Sequence, residues 1–170
     1  TSASNDGLAS GLQGTASNIG VDRVPTGTDF GYFAGGPNTT VDRIDYSSDT
    51  PTATAKGPLA SSRYLAGSTG NTNHGYFGGG QVVPGYTKMS SVERIDYVND
   101  TPATSPRGPL TVATSYICAT GNTSYGYWMG GQNPSPAIIS TVDRVDYSND
   151  TIAAVVRGNL NTARYRGQSA

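Results

Sequence analysis

The sequence predicts an all-β protein built from tandem repeats, and three observations support that expectation. Similar phrases return at a nearly constant spacing, 23 glycines and 10 prolines accompany many small polar residues, and glutamate occurs once in 170 residues. A chain so poor in helix formers and so rich in turn formers favours short strands joined by turns. Similarity at a fixed period indicates that one structural unit recurs along the chain.

Each repeat combines an aromatic and glycine-rich phrase, an acidic phrase and a phrase that begins with a basic residue and glycine. The aromatic phrases are GYFAGG at 31–36, GYFGGG at 75–80 and GYWMGG at 126–131. The acidic phrases are VDRIDYSSDT at 41–50, VERIDYVNDT at 92–101 and VDRVDYSNDT at 142–151. The last phrases begin KGPL at 56–59, RGPL at 107–110 and RGNL at 157–160.

These phrases predict four short strands in each repeat. The aromatic phrase is a short strand broken by glycines, and the acidic phrase alternates. A weak strand precedes the KGPL-type phrase, and RYLAGS at 63–68 and SYICAT at 115–120 supply another. The alternation places two sets of side chains on opposite faces: Val41, Arg43 and Asp45 against Asp42, Ile44 and Tyr46. Four strands in about 45 residues, repeated in tandem, are typical of a β-propeller blade.

The expected organisation is one domain, all-β, forming a propeller fragment of about three and a half four-stranded antiparallel blades. Its parts are the rear of a degenerate repeat (1–30), repeat 1 (31–74), repeat 2 (75–125) and an incomplete repeat 3 (126–170). Because a propeller ring usually needs at least four blades, we expect the chain to belong to a longer polypeptide or to an oligomer.

The repeat resembles the units of kelch-type propellers, the class of kelch and galactose oxidase, over residues 31–170 and more faintly over 4–30. In repeat 1, Gly35-Gly36, Tyr46, and Pro58 with Arg63 stand where those units have Gly-Gly, tyrosine, and a proline and arginine phrase. The resemblance implies kelch-like blades. The kelch tryptophan is missing, because Thr52 stands near its expected position, so the packing between blades must differ.

The amino-acid sequence of the repeats also looks like that of repeat arrays in virion structural and tail-fibre-like proteins of phages that infect marine cyanobacteria. That resemblance implies a virion or extracellular location and a structural or adhesive role. The partners it implies are other virion or propeller subunits and a glycan or protein on a host surface.

The repeated charges predict architecture rather than chemistry. Nine of the twelve acidic residues lie in the three acidic phrases. Arg43 and Asp45 lie on one strand face, about 7 Å apart between Cα atoms, and can pair with each other or with the next blade. The predicted structural ladder comprises Arg43, Asp45, Arg94, Asp96, Arg144 and Asp146. Calcium at the acidic turns stays open as an alternative.

No catalytic residue, metal site or cofactor is expected. Glycoside hydrolysis needs two carboxyls in different environments, and a pair repeated three times has nothing to make them differ. His74 is the single histidine, which excludes a multi-histidine metal site within the chain, and galactose-oxidase copper chemistry is therefore not implied. The lone Cys118 is interpreted as a buried small side chain.

The composition disfavours two classes of partner. A net charge of −1 gives no electrostatic case for nucleic acid or an anionic membrane surface. No apolar run approaches the roughly 18 residues of a membrane span, so membrane insertion is not expected.

One loop carries the length variation between repeats, with four residues at 37–40, eleven at 81–91 and ten at 132–141. Loops of a rigid scaffold commonly carry function, and these three are expected to cluster on one propeller face. The candidate binding residues there are Gln81, Tyr86, Lys88, Gln132, Asn133, Ile138 and Ile139.

The leading hypothesis is a non-enzymatic structural or adhesion module, such as a tail-fibre or decoration component of a phage virion, that presents these loops. The alternative is a lectin-like, sugar-binding propeller of a secreted bacterial protein. A second alternative is a fragment of a glycoside-acting propeller enzyme whose catalytic residues lie elsewhere.

Overall fold

The computed structural model of the protein describes residues 29–167. The predicted degenerate repeat at 1–30 lies outside this range apart from its last two residues, as do the final three residues of repeat 3. Within the range the protein is all-β, with antiparallel sheets, which confirms the all-β part of the predicted fold class. No helix in the described part of the chain is long and apolar enough to cross a membrane.

Between residues 29 and 167, thirteen strands form three successive sheets and one small hairpin. Sheet 1 contains β1 (Phe30–Ala34), β2 (Val41–Asp45) and β3 (Thr54–Lys56). Sheet 2 contains β4 (Gly67–Gly70), β5 (His74–Gly78), β8 (Val92–Asp96) and β9 (Ser105–Arg107). Sheet 3 contains β10 (Cys118–Gly121), β11 (Tyr125–Met129), β12 (Thr141–Asp146) and β13 (Val155–Asn159). The hairpin, β6 (Gln81–Val82) and β7 (Thr87–Lys88), interrupts sheet 2.

The strands of each sheet follow one another in chain order and pair antiparallel. The repeat units counted along the sequence are out of phase with the sheets, since residues 75 and 126, where repeats 2 and 3 open, lie in the second strands β5 and β11. Each acidic phrase forms the strand that follows the aromatic one, as β2, β8 or β12. A short 3-10 turn, Tyr147–Asn149, follows β12.

The three sheets pack face to face through two hydrophobic clusters. We call the face that carries Phe77 and Ile95 in sheet 2 the front face, and the face that carries Tyr76 and Val92 the rear face. The rear face of sheet 1 packs on the front face of sheet 2 through Val41, Leu59, Phe77 and Ile95. The rear face of sheet 2 packs on the front face of sheet 3 through Tyr76, Val92, Leu110, Trp128, Val145 and Tyr147.

Because other sheets cover both faces of sheet 2, its acidic phrase carries a buried apolar residue on each face. Val92 and Ile95 point to opposite sides of β8, and both are almost completely buried. A strand that is covered on both faces needs an apolar residue on each, with its charged residues paired across the interface.

A pair of glycines ends each aromatic strand because the backbone there is left-handed and crowded. Gly79 and Gly80 have φ angles of 67° and 95°, and a Cβ atom on Gly80 would lie 2.8 Å from the carbonyl oxygen of Tyr64. The amide of Gly80 donates to the carbonyl of Thr114 at 2.8 Å. Side chains rarely adopt such φ angles, so glycine lets the strand turn sharply against the linker that follows the sheet.

Candidate functional site

The repeated charges join adjacent sheets. Arg43 in β2 donates to the carboxylate of Asp100 at 2.8 Å, and Lys56 in β3 lies 3.3 Å from the same carboxylate. The hydroxyl of Tyr32 in β1 donates to it at 3.0 Å. Asp100, in the turn after β8, therefore meets one polar side chain from each strand of sheet 1.

The same arrangement joins sheets 2 and 3. Asp150 accepts from Arg94 at 2.9 Å and from Tyr76 at 2.8 Å, and Arg107 lies 3.1 Å away. Burial, followed by the hydrogen bond to this carboxylate, raises the pKa of Tyr76 well above its ordinary value. We call Asp100 and Asp150 the intersheet aspartates; they are architectural elements repeated at equivalent positions.

The ladder aspartates contact their own turns rather than the strand arginines. The carboxylate of Asp45 accepts from the amide and hydroxyl of Ser47 at 2.8 and 2.6 Å, and Asp146 accepts likewise from Ser148 at 2.9 and 2.7 Å. These hydrogen bonds lower the pKa of both carboxyls. Asp96 accepts from the amide of Val98 at 2.9 Å. The structure thus separates the two charges of the phrase: arginine reaches the next sheet, and aspartate ends the strand.

A fully buried ion pair joins the linker between sheets 1 and 2 to sheet 2. Arg63, in the linker between sheets 1 and 2, pairs with Glu93 of β8, and both side chains are at most 4% exposed. The guanidinium also donates to the carbonyl oxygens of Gly79 and Ser91 at 3.1 and 3.2 Å. Burial lowers the pKa of Arg63, while the neighbouring carboxylate opposes that shift. This pair holds the linker against sheet 2.

The two longer variable loops meet at a cleft of about 520 Å³, which we call the loop-face cleft. It is lined by Gln81, Tyr86, Thr87, Lys88, Tyr116, Gln132, Pro134 and Pro136. No carboxylate is among these described lining residues. The lining combines aromatic faces, amides and one cation, a combination that stacks on and hydrogen-bonds to polar ligands.

The β6–β7 hairpin presents the first part of the lining. Its turn contains a cis Val83–Pro84 peptide and two left-handed residues, Gly85 and Tyr86, with φ angles of 105° and 54°. Tyr86 is 67% exposed. An aromatic ring that is mostly exposed and presented by a left-handed backbone favours a role in contact with a ligand.

Lys88 ties the two loops together. Its ammonium donates to the side-chain oxygen of Gln132 at 3.0 Å and to the carbonyl of Asn133 at 2.6 Å. Partial burial lowers the pKa of Lys88. Gln132 in turn donates through its amide nitrogen to the carbonyl of Pro136 at 3.1 Å. The cleft is therefore braced by hydrogen bonds across its floor.

Four of the seven candidate binding residues line the loop-face cleft: Gln81, Tyr86, Lys88 and Gln132. Asn133 shapes the second loop, because its side chain accepts from the amide of Ala137 at 3.0 Å. Ile138 forms an isolated bridge with Gln132, and Ile139 donates its amide to the carbonyl of Gly131 at 3.0 Å. The short 37–40 loop contributes no lining residue.

Sequence reasoning missed Tyr116, which lines the cleft from the linker between sheets 2 and 3. Tyr116 is left-handed, with a φ of 56°, and so are Leu65 and Arg166 at the corresponding linker positions, with φ values of 60° and 54°. The guanidinium of Arg166 lies 4.7 Å from the centre of the Tyr116 ring. A linker residue at this position follows every KGPL-type phrase. That recurrence is the feature of the sequence that could have identified Tyr116.

The remaining chemical candidates lie apart from the cleft. His74 packs edge-on against Tyr76 with ring centroids 6.3 Å apart, and burial lowers its pKa. The thiol of Cys118 donates to the carbonyl of Gly167 at 2.7 Å. Between residues 29 and 167, no three side chains of the metal-ligating types gather into a site.

No family model matches the chain, and no curated protein matches it. The geometry of the cleft and of the sheet interfaces therefore carries the functional interpretation.

Proposed function

We propose that this chain is a non-enzymatic adhesion module of the β-propeller type, in which each sheet is a blade and the loop-face cleft binds a polar ligand. The observation that carries the proposal is the meeting of the two longer variable loops at a cleft that contains exposed Tyr86. Face-to-face packing of successive antiparallel sheets, with β4 beside β10, supports the propeller arrangement.

The chemistry of the cleft favours a glycan as the ligand class. Tyr86 and Tyr116 offer ring faces for the apolar side of a sugar, and the amides of Gln81 and Gln132 offer donors and acceptors for its hydroxyls. The absence of a carboxylate from the described lining, together with the structural use of the repeated acids, argues against the glycoside-acting alternative.

A virion or other extracellular location belongs to the same proposal. Its support is the resemblance of the repeat phrases to tail-fibre-like repeat arrays. In that setting the paired charges would stiffen the scaffold and the variable loops would contact the host surface.

The test is binding of the 170-residue chain to an array of neutral and acidic bacterial surface polysaccharides, followed by titration of the strongest binder. We expect Tyr86→Ala to weaken binding at least about fivefold, because stacking of a sugar on an aromatic ring typically contributes about 1 kcal/mol or more. Val98→Ala is the control, since Val98 is 56% exposed but follows the opposite end of β8. Binding that Tyr86→Ala leaves unchanged would contradict the proposal, and so would an array without any bound glycan.

A further inference from the structure

The two internal interfaces define what a rear face and a front face of these sheets bind. In each, a tyrosine of the rear face stacks on a tyrosine of the next front face. Tyr32 lies on Tyr97 with ring centroids 4.9 Å apart, and Tyr76 lies on Tyr147 with centroids 4.7 Å apart. In each interface an intersheet aspartate also contacts this rear-face tyrosine and two basic residues from the same sheet as the tyrosine.

The backbone takes part in both interfaces. The amides of Gly57 and Gly108, in the KGPL-type phrases, each donate at 2.8 Å to the carbonyl oxygen of an intersheet aspartate. The donors thus belong to the sheet that contributes its rear face, and the acceptors belong to the sheet that contributes its front face. The two sides of each interface are therefore different.

The rear face of sheet 3 carries the same donors, but among the described residues no intersheet carboxylate accepts from them. Tyr127 stands opposite Arg144 in the strand register, as Tyr76 stands opposite Arg94. The guanidinium of Arg144 lies 4.2 Å from the centre of the Tyr125 ring, and that of Arg43 lies 4.1 Å from the Phe30 ring, so both are held in the same way. Arg157 takes the place of Lys56 and Arg107 in its phrase and is exposed.

Among residues 29–167, no sheet packs on the third glycine of the KGPL-type phrases as one does on the first two. A Cβ atom at Gly57 would lie 1.6 Å from the carbonyl oxygen of Pro102, and one at Gly108 would lie 1.8 Å from that of Ile152. A Cβ atom at Gly158, the third glycine of the series, would meet nothing within 4 Å; the β12–β13 register shifts at this point, and Gly158 has a left-handed φ of 61°. The next sheet that presses on the first two glycines has no counterpart at the third among the described residues.

The front face of sheet 1 carries the matching acceptor and an uncovered apolar surface. Phe33 is 58% exposed and Tyr46 is 60% exposed, whereas their counterparts Trp128 and Tyr147 in sheet 3 are 1% and 9% exposed. Asp49, at the position of the intersheet aspartates, is exposed, and no residue between 29 and 167 bonds to its carboxylate.

We propose that the rear face of sheet 3 binds the front face of sheet 1 of a second copy of this chain. In that contact Tyr127 stacks on Tyr46, and the Asp49 carboxylate accepts from Tyr127, Arg144 and Arg157. Phe33 and Tyr46 lose their exposure, as their counterparts do inside the chain. The inference does not depend on ligand binding at the loop-face cleft.

The contact joins two different surfaces, so the assembly is head to tail and either closes into a ring or extends as a filament. Two rear faces cannot pair with each other, because that would place Arg144 of one copy against Arg144 of the other without a carboxylate. Two front faces would bring the Asp49 carboxylates together in the same way.

The test is sedimentation velocity of the full 170-residue chain over a range of concentrations, with charge reversals on each face. Wild type is expected to associate. Arg144→Asp alone and Asp49→Arg alone are each expected to weaken association at least about 30-fold, because reversal puts like charges in contact. An equimolar mixture of the two variants restores association, since the unchanged Arg144 of one copy meets the unchanged Asp49 of the other, and the introduced arginine and aspartate meet at the next contact. The double variant associates with itself for the same reason.

Lys88→Asp is the matched control, because it makes the same change of charge at the loop-face cleft and should leave association unchanged. Circular dichroism and the urea midpoint of each variant, measured at a concentration where it is monomeric, establish that it is folded. A wild-type chain that stays monomeric at every concentration overturns the proposal, including the case in which residues 1–28 cover the front face. Association that both reversals leave intact, or that the mixture does not restore, overturns it as well.

Discussion

Arg63 and Glu93 are the residues in which this fold departs furthest from an apolar core. Taking two charges out of water costs several kcal/mol per ion, and the cost is offset here by the pairing and by the carbonyl oxygens of Gly79 and Ser91 around the guanidinium. The second carboxylate oxygen of Glu93 accepts from the amide of Ala60 at 2.7 Å. The pair therefore joins the linker to β8 and to Gly79 and Ser91, which lie near the two ends of the variable loop.

Removing the charge of one partner should show how much the ion pair stabilises the fold. We expect Glu93→Gln to lower the free energy of unfolding by about 3–5 kcal/mol, because it leaves the Arg63 guanidinium buried without a counter-charge. Urea unfolding followed by tryptophan fluorescence measures the change through Trp128.

Sheet 3 supplies the control for this prediction. Asp143 occupies the position of Glu93 and accepts from the amide and hydroxyl of Thr111 at 2.9 and 2.7 Å, but it has no arginine partner in the described chain because Thr114 stands in place of Arg63. Asp143→Asn should cost about 1.5–3 kcal/mol, the range of a hydrogen bond to a charged group. Equal losses in the two variants would mean that the ion pair adds nothing beyond the amide contact.

At the scale of the strand, the double glycines are the feature that ends each aromatic strand. Two separate constraints act there, a left-handed backbone and a close approach of the linker. Gly36 has a φ of 91° and no atom within 4 Å of the Cβ position, whereas Gly80 has a φ of 95° and the carbonyl oxygen of Tyr64 at 2.8 Å. The two glycines therefore share the first constraint and differ in the second.

Alanine substitution separates the two effects. Gly36→Ala should lower the free energy of unfolding by about 1 kcal/mol, the cost of a left-handed alanine. Gly80→Ala should lower it by about 3 kcal/mol, because the new methyl group also displaces the linker. Chemical denaturation of both variants measures the difference. If the Gly36 variant loses as much as the Gly80 variant, the linker contact is not the cause.

The same scale shows what the sequence could predict. The acidic phrase alternates strongly, and β2, β8 and β12 lie where that alternation predicts strands. The sheet-to-sheet partner of Arg43 could not be chosen, because a strand pattern specifies a face but not which carboxylate, Asp45 or Asp100, comes within reach of the guanidinium. Tyr116 was missed for a related reason: it belongs to a linker with no periodic pattern, and only the packing of successive sheets brings it beside Tyr86.

At the scale of the whole molecule, three sheets present the same rear face in two different situations. The rear-face tyrosines Tyr32 and Tyr76 stack on a tyrosine of the next sheet and donate to an intersheet aspartate, whereas Tyr127 has no such partner in the described chain. Burial and the hydrogen bond to Asp100 raise the pKa of Tyr32, as happens at Tyr76. The three sheets thus carry the same tyrosine side chain at equivalent positions in different surroundings.

Tyrosine to phenylalanine at each position removes one hydroxyl and keeps the ring. We expect Tyr32→Phe and Tyr76→Phe each to lower the free energy of unfolding by about 1.5 kcal/mol, because each removes a hydrogen bond to a buried carboxylate. Tyr127→Phe should leave the monomer unchanged, measured by urea unfolding at a concentration where association is absent. A loss at Tyr127 equal to the other two would show that its hydroxyl already has a partner inside one chain. That result would also remove the reason to expect a second copy at the rear face of sheet 3, since the three tyrosines would then all be satisfied by their own chain.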